Sequence, residues 1–183
     1  MKLAIVSDIH DHIWNLRRFL DWLDTHPADA LLCCGDLCSP FVPALIQKAY
    51  TGPIHLVFGN NDGDTFRITR LTADHVRLHG ELAEIEFNGY RVALNHYPDI
   101  AEQLARSRRY DLVCYGHNHE IRLRARGQTL LLNPGTLMGY LPEKATDTAP
   151  TFVVLDTETE TAQAYVLDND NERIDTYPLL PGS

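Results

Sequence analysis

The sequence predicts an α/β fold built on two packed sheets, and three observations carry that expectation. The first half alternates short apolar runs with amphipathic helical stretches, a βαβαβ order that favours a parallel sheet with right-handed crossovers. The second half is richer in strand signals, which predicts a second sheet on the first with helices outside. The apolar runs end in polar residues, at the carboxyl ends where open α/β sheets hold their ligands.

Leu3, Ala4, Ile5 and Val6 form an unbroken apolar run, as a strand buried on both faces would. It runs into Ser7-Asp8-Ile9-His10, and side chains two apart in an extended chain share a side, so Asp8 and His10 project together. Residues 12–25 read as a helix, because Leu16, Phe19, Leu20 and Leu23 recur at helical spacing. A second buried strand at 30–34 ends at Gly35-Asp36. Ser39-Pro40 then opens a helix, with Ser at the N-cap, Pro at the first turn and Val42, Leu45, Ile46 and Ala49 on its apolar face. Gly52-Pro53 breaks the chain before a third strand at 54–58, which ends at Gly59-Asn60-Asn61-Asp62, and a short helix fills 64–71.

Beyond it, two strands flank Asn88-Gly89, a strong hairpin signal, and the second runs into Asn95-His96. Pro98 starts a helix reaching about Arg108. The apolar strand at 112–115 ends in Gly116-His117-Asn118-His119. A hairpin follows, turning at Arg126-Gly127, and then an Asn133-Pro134-Gly135-Thr136 turn. Residues 140–150 read as a polar loop, residues 151–156 and 161–167 as a last hairpin, and the tail from Asp168 as polar and loose.

With 183 residues the chain fits one domain, 1–183, that buries about 70% of its unfolded surface. No apolar run reaches the length of a membrane span, and Asp8 interrupts the first one, so neither an anchor nor a signal peptide is expected and the expected location is the cytoplasm. The four cysteines form no Cys-x-x-Cys pair, which argues against a thiolate zinc site. Cys33 and Cys34 are adjacent and should face opposite ways, and all four read as small core residues. A net charge of −9 argues against binding long nucleic acid. An acidic chain that handles phosphate needs local positive charge, which bound metal ions would supply.

Seven residues at strand ends form a ligand-like set without thiolates: Asp8, His10, Asp36, Asn60, His96, His117 and His119. Alone, each block reads as a turn, a helix cap or a loop histidine. Together and in this order, the blocks D-x-H, G-D, G-N-x-D, a lone His after a strand, and G-H-x-H resemble those of the calcineurin-like metallophosphoesterases. The Asn-Pro-Gly-Thr turn and the short chain are similar to the compact bacterial and archaeal phosphodiesterase branch.

The resemblance implies a four-layer αββα sandwich of two mixed sheets flanked by helices. It implies one ion on Asp8, His10, Asp36 and His119 and a second on Asp36, Asn60, His96 and His117, with Asp36 bridging. Two divalent ions bring about +4 against about −2 from the two carboxylates, which leaves an electropositive pocket. The mixed O/N donors suit manganese first, and also iron, nickel or zinc. The expected reaction is in-line attack on a phosphate ester by a hydroxide bridging the ions, with Asp36 the catalytic bridge. Glycines 35, 59 and 116 leave room for tight turns and close approach. Many phosphatases of this superfamily carry His directly after the metal-binding Asn, as an acid for the leaving group. Here that position is Asn61, an amide that can bind phosphate but cannot serve as an acid, which favours diesters. The expected substrate is a small phosphate ester such as a nucleotide, with no membrane partner; the sequence says nothing of oligomeric state. The competing expectation is a catalytically silent scaffold, since the retromer scaffold subunit resembles this fold with an incomplete ligand set.

Overall fold

The structure, a computed structural model, describes residues 1–159, 161–167 and 173–178. Its central strand is β1 (Lys2–Val6), buried from Leu3 onward. On one side β1 pairs in parallel with β2 (Ala30–Cys33), with Leu3 opposite Ala30 and Val6 opposite Cys33. β3 (Ile54–Leu56) and β4 (Val76–Leu78) continue the parallel set. On its other side β1 pairs antiparallel with β12 (Thr151–Asp156), followed by β13 (Thr161–Val166) and β14 (Arg173–Pro178). The second sheet has the order β5-β6-β7-β9-β8, from β5 (Leu82–Phe87), β6 (Tyr90–Asn95), β7 (Leu112–Cys114), β8 (Ile121–Arg126) and β9 (Thr129–Pro134).

Three apolar clusters define four layers. Helices α1 (Ile13–Thr25) and α2 (Phe41–Ala49) bury Leu16, Phe19, Val42 and Ile46 against Ala4, Val6, Leu31 and Cys33 of the first sheet. Leu3, Ile5, Leu32 and Cys34 meet Val92, Leu94, Cys114 and Leu132 between the sheets. Helix α4 (Pro98–Arg106) covers the outer face of the second sheet through Ala101 and Ala105. This is the expected αββα sandwich, and Cys33 and Cys34 do lie in different layers. Helix α3 (Thr65–Leu71) follows β3.

Several local expectations are corrected. Ser39 does not cap α2; Pro40 holds that position, while the Ser39 N–H and hydroxyl donate to Asp11 at 2.9 and 2.6 Å. His12 caps α1 instead, accepting the Asn15 N–H. Cys38 is not a core residue: it is partly exposed, with Sγ 3.5 Å from His10 Nδ1. The stretch read as a polar loop folds into β10 (Tyr140–Leu141), a 3-10 turn (Pro142–Lys144) and β11 (Thr146–Asp147). Within the tail read as loose, β14 extends the first sheet, and residues 168–172 and 179–183 lie outside the described residues. Among the described residues no helix is long and apolar enough to cross a membrane.

Candidate metal centre

Every ligand-like residue sits in a loop leaving the carboxyl end of β1, β2, β3, β6 or β7, and adjacent loops are laced together by backbone. The N–H groups of Ile9 and His10 donate to the Asp36 carbonyl at 2.9 and 3.0 Å, and the Gly116 N–H donates to the His96 carbonyl at 3.0 Å. Asp8 and His10 converge, but not through the extended geometry expected of them. β1 ends at Val6, and both residues have left-handed backbone, with φ of 53° and 43°. Asp36, His117 and His119 are left-handed too, at 56°, 77° and 57°. Left-handed non-glycine residues cost about 1–2 kcal/mol each and gather where the surroundings over-determine them.

All three glycines, 35, 59 and 116, have the tight surroundings expected. A Cβ on Gly116 would strike Ser7 Oγ and come within 2.6 Å of Asp8 Oδ2, and one on Gly59 would strike Asp36 Oδ1. Both places need the residue without a side chain.

The side chains meet in two overlapping groups. In the first, His119 Nε2 lies 3.3 Å and His10 Nε2 3.8 Å from Asp8 Oδ1, and the two Nε2 atoms are 3.1 Å apart. In the second, His96 Nε2 lies 3.2 Å from Asp36 Oδ2 and 3.1 Å from Asn60 Oδ1, and His117 Nδ1 lies 2.9 Å from that same Asn60 oxygen. Asp36 Oδ2 is also 3.5 Å from His10 Nε2, so it touches both groups. Asp8, Asp36, His96 and His119 are buried.

The tautomers follow from the outer partners. His96 Nδ1 faces the Cys34 carbonyl at 2.8 Å, and His119 Nδ1 the Tyr140 carbonyl at 2.6 Å. A carbonyl oxygen only accepts, so each Nδ1 donates and each Nε2 is left to face inward. Inside, His96 Nε2 meets a carboxylate oxygen and an amide oxygen, both acceptors. A proton or a cation must stand between them. Burial would raise the Asp8 carboxyl, but the imidazoles of His10, His119 and His96 outweigh it and hold it well below the usual carboxylate range. Burial likewise opposes charge on His96 and His119, and the carboxylates of Asp36 and Asp8 win, raising both imidazoles. Such a convergence of oxygen and imidazole donors, with no thiolate, fits divalent metal ions.

Sequence reasoning missed the residues that hold the loops. The Asp62 carboxylate accepts four backbone N–H groups, from Asp36 (3.0 Å), Leu37 (2.8 Å), Cys38 (2.8 Å) and Gly59 (2.7 Å). It thereby ties the Asp36 loop to the Asn60 loop; the fourth position of the G-N-x-D block was the available signal. Asn133 donates to the Gly116 carbonyl and to Asn118 Oδ1, and Thr136 to the Asp8 carbonyl, so the Asn-Pro-Gly-Thr segment braces the ligand loops. Asn61, expected to face substrate, is itself exposed but donates its N–H and side-chain amide to the two oxygens of Asp36, at 2.8 and 2.9 Å. The ring of Tyr97 lies against those of His96 and His117.

Comparison with known proteins places the fold in a family. The model of the calcineurin-like phosphoesterase superfamily domain matches residues 1–160. The phosphodiesterase MJ0936 of Methanocaldococcus jannaschii is 29% identical over 172 residues, 92% of this chain and 100% of that one. A solved archaeal phosphodiesterase superposes with a TM-score of 0.81 at 29% identity, over 91% of this chain and 99% of its own. The E. coli phosphoesterase YfcE shares the fold, with a TM-score of 0.73 at 21% identity over 98% of this chain and 100% of its own. The chain belongs to the calcineurin-like phosphoesterase superfamily.

Proposed function

We propose that this chain is a phosphodiesterase that works with two divalent metal ions, as a single domain in the cytoplasm. The observation that carries the reading is the position of Asp36 Oδ2, within 3.2 Å of His96 Nε2 and 3.5 Å of His10 Nε2. One oxygen facing an imidazole of each group is what a shared ligand requires. Asp8, His10, Asp36 and His119 would hold one ion, and Asp36, Asn60, His96 and His117 the other. Manganese is the first candidate, and iron, nickel and zinc suit the same donors. Two such ions would offset charge on the phosphate oxygens and supply a hydroxide nucleophile at neutral pH.

The chain's own residues do the positioning. The Cys34 and Tyr140 carbonyls orient the His96 and His119 rings, and Asp62 sets the separation of the Asp36 and Asn60 loops. Asn61 steadies Asp36 and, being exposed, would offer a hydrogen bond to a phosphate arriving from solvent. An amide supplies no proton to a leaving group, so diesters with stable leaving groups are the favoured substrates, a nucleotide ester among them. The phosphodiesterase named for the Methanocaldococcus relative supports the same substrate class. Unlike a scaffold with an incomplete ligand set, this chain carries all seven ligand residues.

The test combines metal counting with hydrolysis of bis-p-nitrophenyl phosphate. Two ions per chain and turnover that chelation abolishes are expected. Two bound ions without turnover under any divalent metal would overturn the reading in favour of the scaffold.

A further inference from the structure

The large apolar side chains left in solvent are not scattered. Among the described residues they are Trp14, Phe41, Phe66, Leu82 and Ile100. Four of them occupy the first three positions of the four α-helices: Trp14 in α1, Phe41 in α2, Phe66 in α3 and Ile100 in α4. Each of those helices follows a loop carrying candidate ligands, namely Asp8 and His10, Asp36, Asn60, and His96. Leu82 joins them, because it starts β5 opposite Asn95, the residue before His96. Trp14 and Phe66 are the most open, at 67% and 71% exposure.

The helix starts are held side by side. Asp11 accepts the Ser39 N–H at 2.9 Å, and the Cys38 carbonyl accepts the Gly63 N–H at 3.0 Å. Trp14 is three residues past Asp11, Phe41 two past Ser39 and Phe66 three past Gly63, so the three aromatic residues lie at the starts of helices whose preceding loops are tied together and carry candidate ligands. Ile100 lies in the first turn of α4 in the opposite outer layer, just after the His96 loop. The Phe66 ring carries the Arg70 guanidinium 5.6 Å from its centroid.

We propose that this apolar rim binds the organic group of the diester substrate, and that the group it selects is a planar ring such as a nucleobase. The proposal rests on the phosphodiesterase reading. An ester group is one bond from the phosphate oxygen, so a diester anchored at the centre must lay its substituents across the rim. Exposed aromatic rings bind planar bases by stacking and are tolerant of which base it is. A protein partner fits less well, since the rim residues alternate along the chain with exposed polar ones, including Asn61, Asp64, Arg67 and Asp99. A stable protein interface wants a contiguous apolar core.

The test uses two diesters with one leaving group: the p-nitrophenyl esters of thymidine 5′-phosphate and of ethyl phosphate. In the double variant Trp14→Ala/Phe66→Ala the ratio of their kcat/KM values, nucleotidyl over ethyl, should fall about 10-fold. Trp14→Phe/Phe66→Tyr keeps both rings and should restore the ratio. Binding is read separately by fluorescence of the metal-loaded protein, whose other tryptophan, Trp22, is buried. Adenosine 5′-monophosphate should quench the emission, ribose 5-phosphate should not, and Trp14→Phe should abolish the response. An unchanged ratio in the alanine variant, or equal quenching by both phosphates, overturns the proposal. If neither ester is hydrolysed by the native protein while adenosine 5′-monophosphate alone quenches Trp14, the phosphodiesterase reading falls and the rim stands.

Discussion

Asn61 grips both oxygens of Asp36, giving its backbone N–H to Oδ1 at 2.8 Å and its side-chain amide to Oδ2 at 2.9 Å. Burial pushes the Asp36 carboxyl up, but His96 and these two donors outweigh it and keep the carboxylate charged. Asn61 therefore stands between the buried Asp36 carboxylate and solvent. Asn61→His would place a group with an ordinary pKa near 6.5 there, partly protonated at neutral pH. Turnover of alkyl phosphomonoesters should rise relative to activated aryl diesters, by up to ~10²–10⁴ where the imidazole reaches the leaving oxygen. The ratio of kcat/KM values at equal metal occupancy is the measurement, and no change would mean that position 61 does not set substrate range.

Asp36→Asn should empty the centre more completely than Asn60→Ala. The first removes a charge that faces both groups, and the second an uncharged oxygen shared by His96 and His117. Metal analysis should find well under one ion per chain for Asp36→Asn and close to one for Asn60→Ala. Two ions and normal turnover in Asp36→Asn would sink the shared-ligand assignment.

Asp62→Ala strands four backbone N–H groups that now share a partly buried carboxylate. Hydrogen bonds to charged acceptors contribute about 1.5–3 kcal/mol each, and water can replace some of them, so a loss of roughly 3 kcal/mol in unfolding free energy is expected. Metal affinity should drop about 10–100-fold, as it does when outer partners of ligands are removed. Urea unfolding of the chelated protein and metal titration of the folded protein separate the two effects.

Chelation should lower thermal stability as well as activity. Each ion present at 100 times its dissociation constant stabilises the fold by about 2.7 kcal/mol. For a chain of this size that corresponds to a Tm shift of roughly 5–10 °C for each ion bound. Differential scanning calorimetry with and without chelator checks it, and identical Tm values would mean that no ion binds the native state.

Away from the centre, His55 and His79 stack with a nitrogen–nitrogen distance of 3.0 Å. Burial, then the neighbouring His79 and Arg77, push His55 down to about 4. The folded protein thus favours the neutral ring while the unfolded chain protonates near 6.5. Above pH 6.5 the two states bind protons alike; as pH falls from there toward 4, the unfolded state gains the proton first and stability declines. His55 is half-exposed, so about 1 kcal/mol is expected after solvent screening. His55→Gln should flatten the stability profile between pH 7 and 5, and an unaltered slope would count against the neutral pair.

The loops that carry the candidate ligands were legible because strand burial and chemistry are local signals. An apolar run such as 3–6 or 30–33, followed within three residues by Asp8 or Asp36, announces a strand end carrying a candidate ligand. What joins the loops was not legible. Asp62 reads as a turn residue, and three of its four partners lie 24 to 26 positions away on a different strand connection. The convergence of Asp8 with His10 was right in outcome and wrong in cause, since period-two alternation does not apply beyond Val6. β4 was not legible because Val76-Arg77-Leu78, though alternating, is too short for its alternation to signal a strand. β10 and β11 have two residues each and exist only through pairing with each other.

The left-handed backbone at Asp8, His10, Asp36, His117 and His119 has a consequence for substitution. Glycine would sit more comfortably at each of these positions, yet glycine has no donor atom. Substitution toward glycine at those five angles would relieve backbone strain only by giving up the donor atoms that meet at the candidate centre.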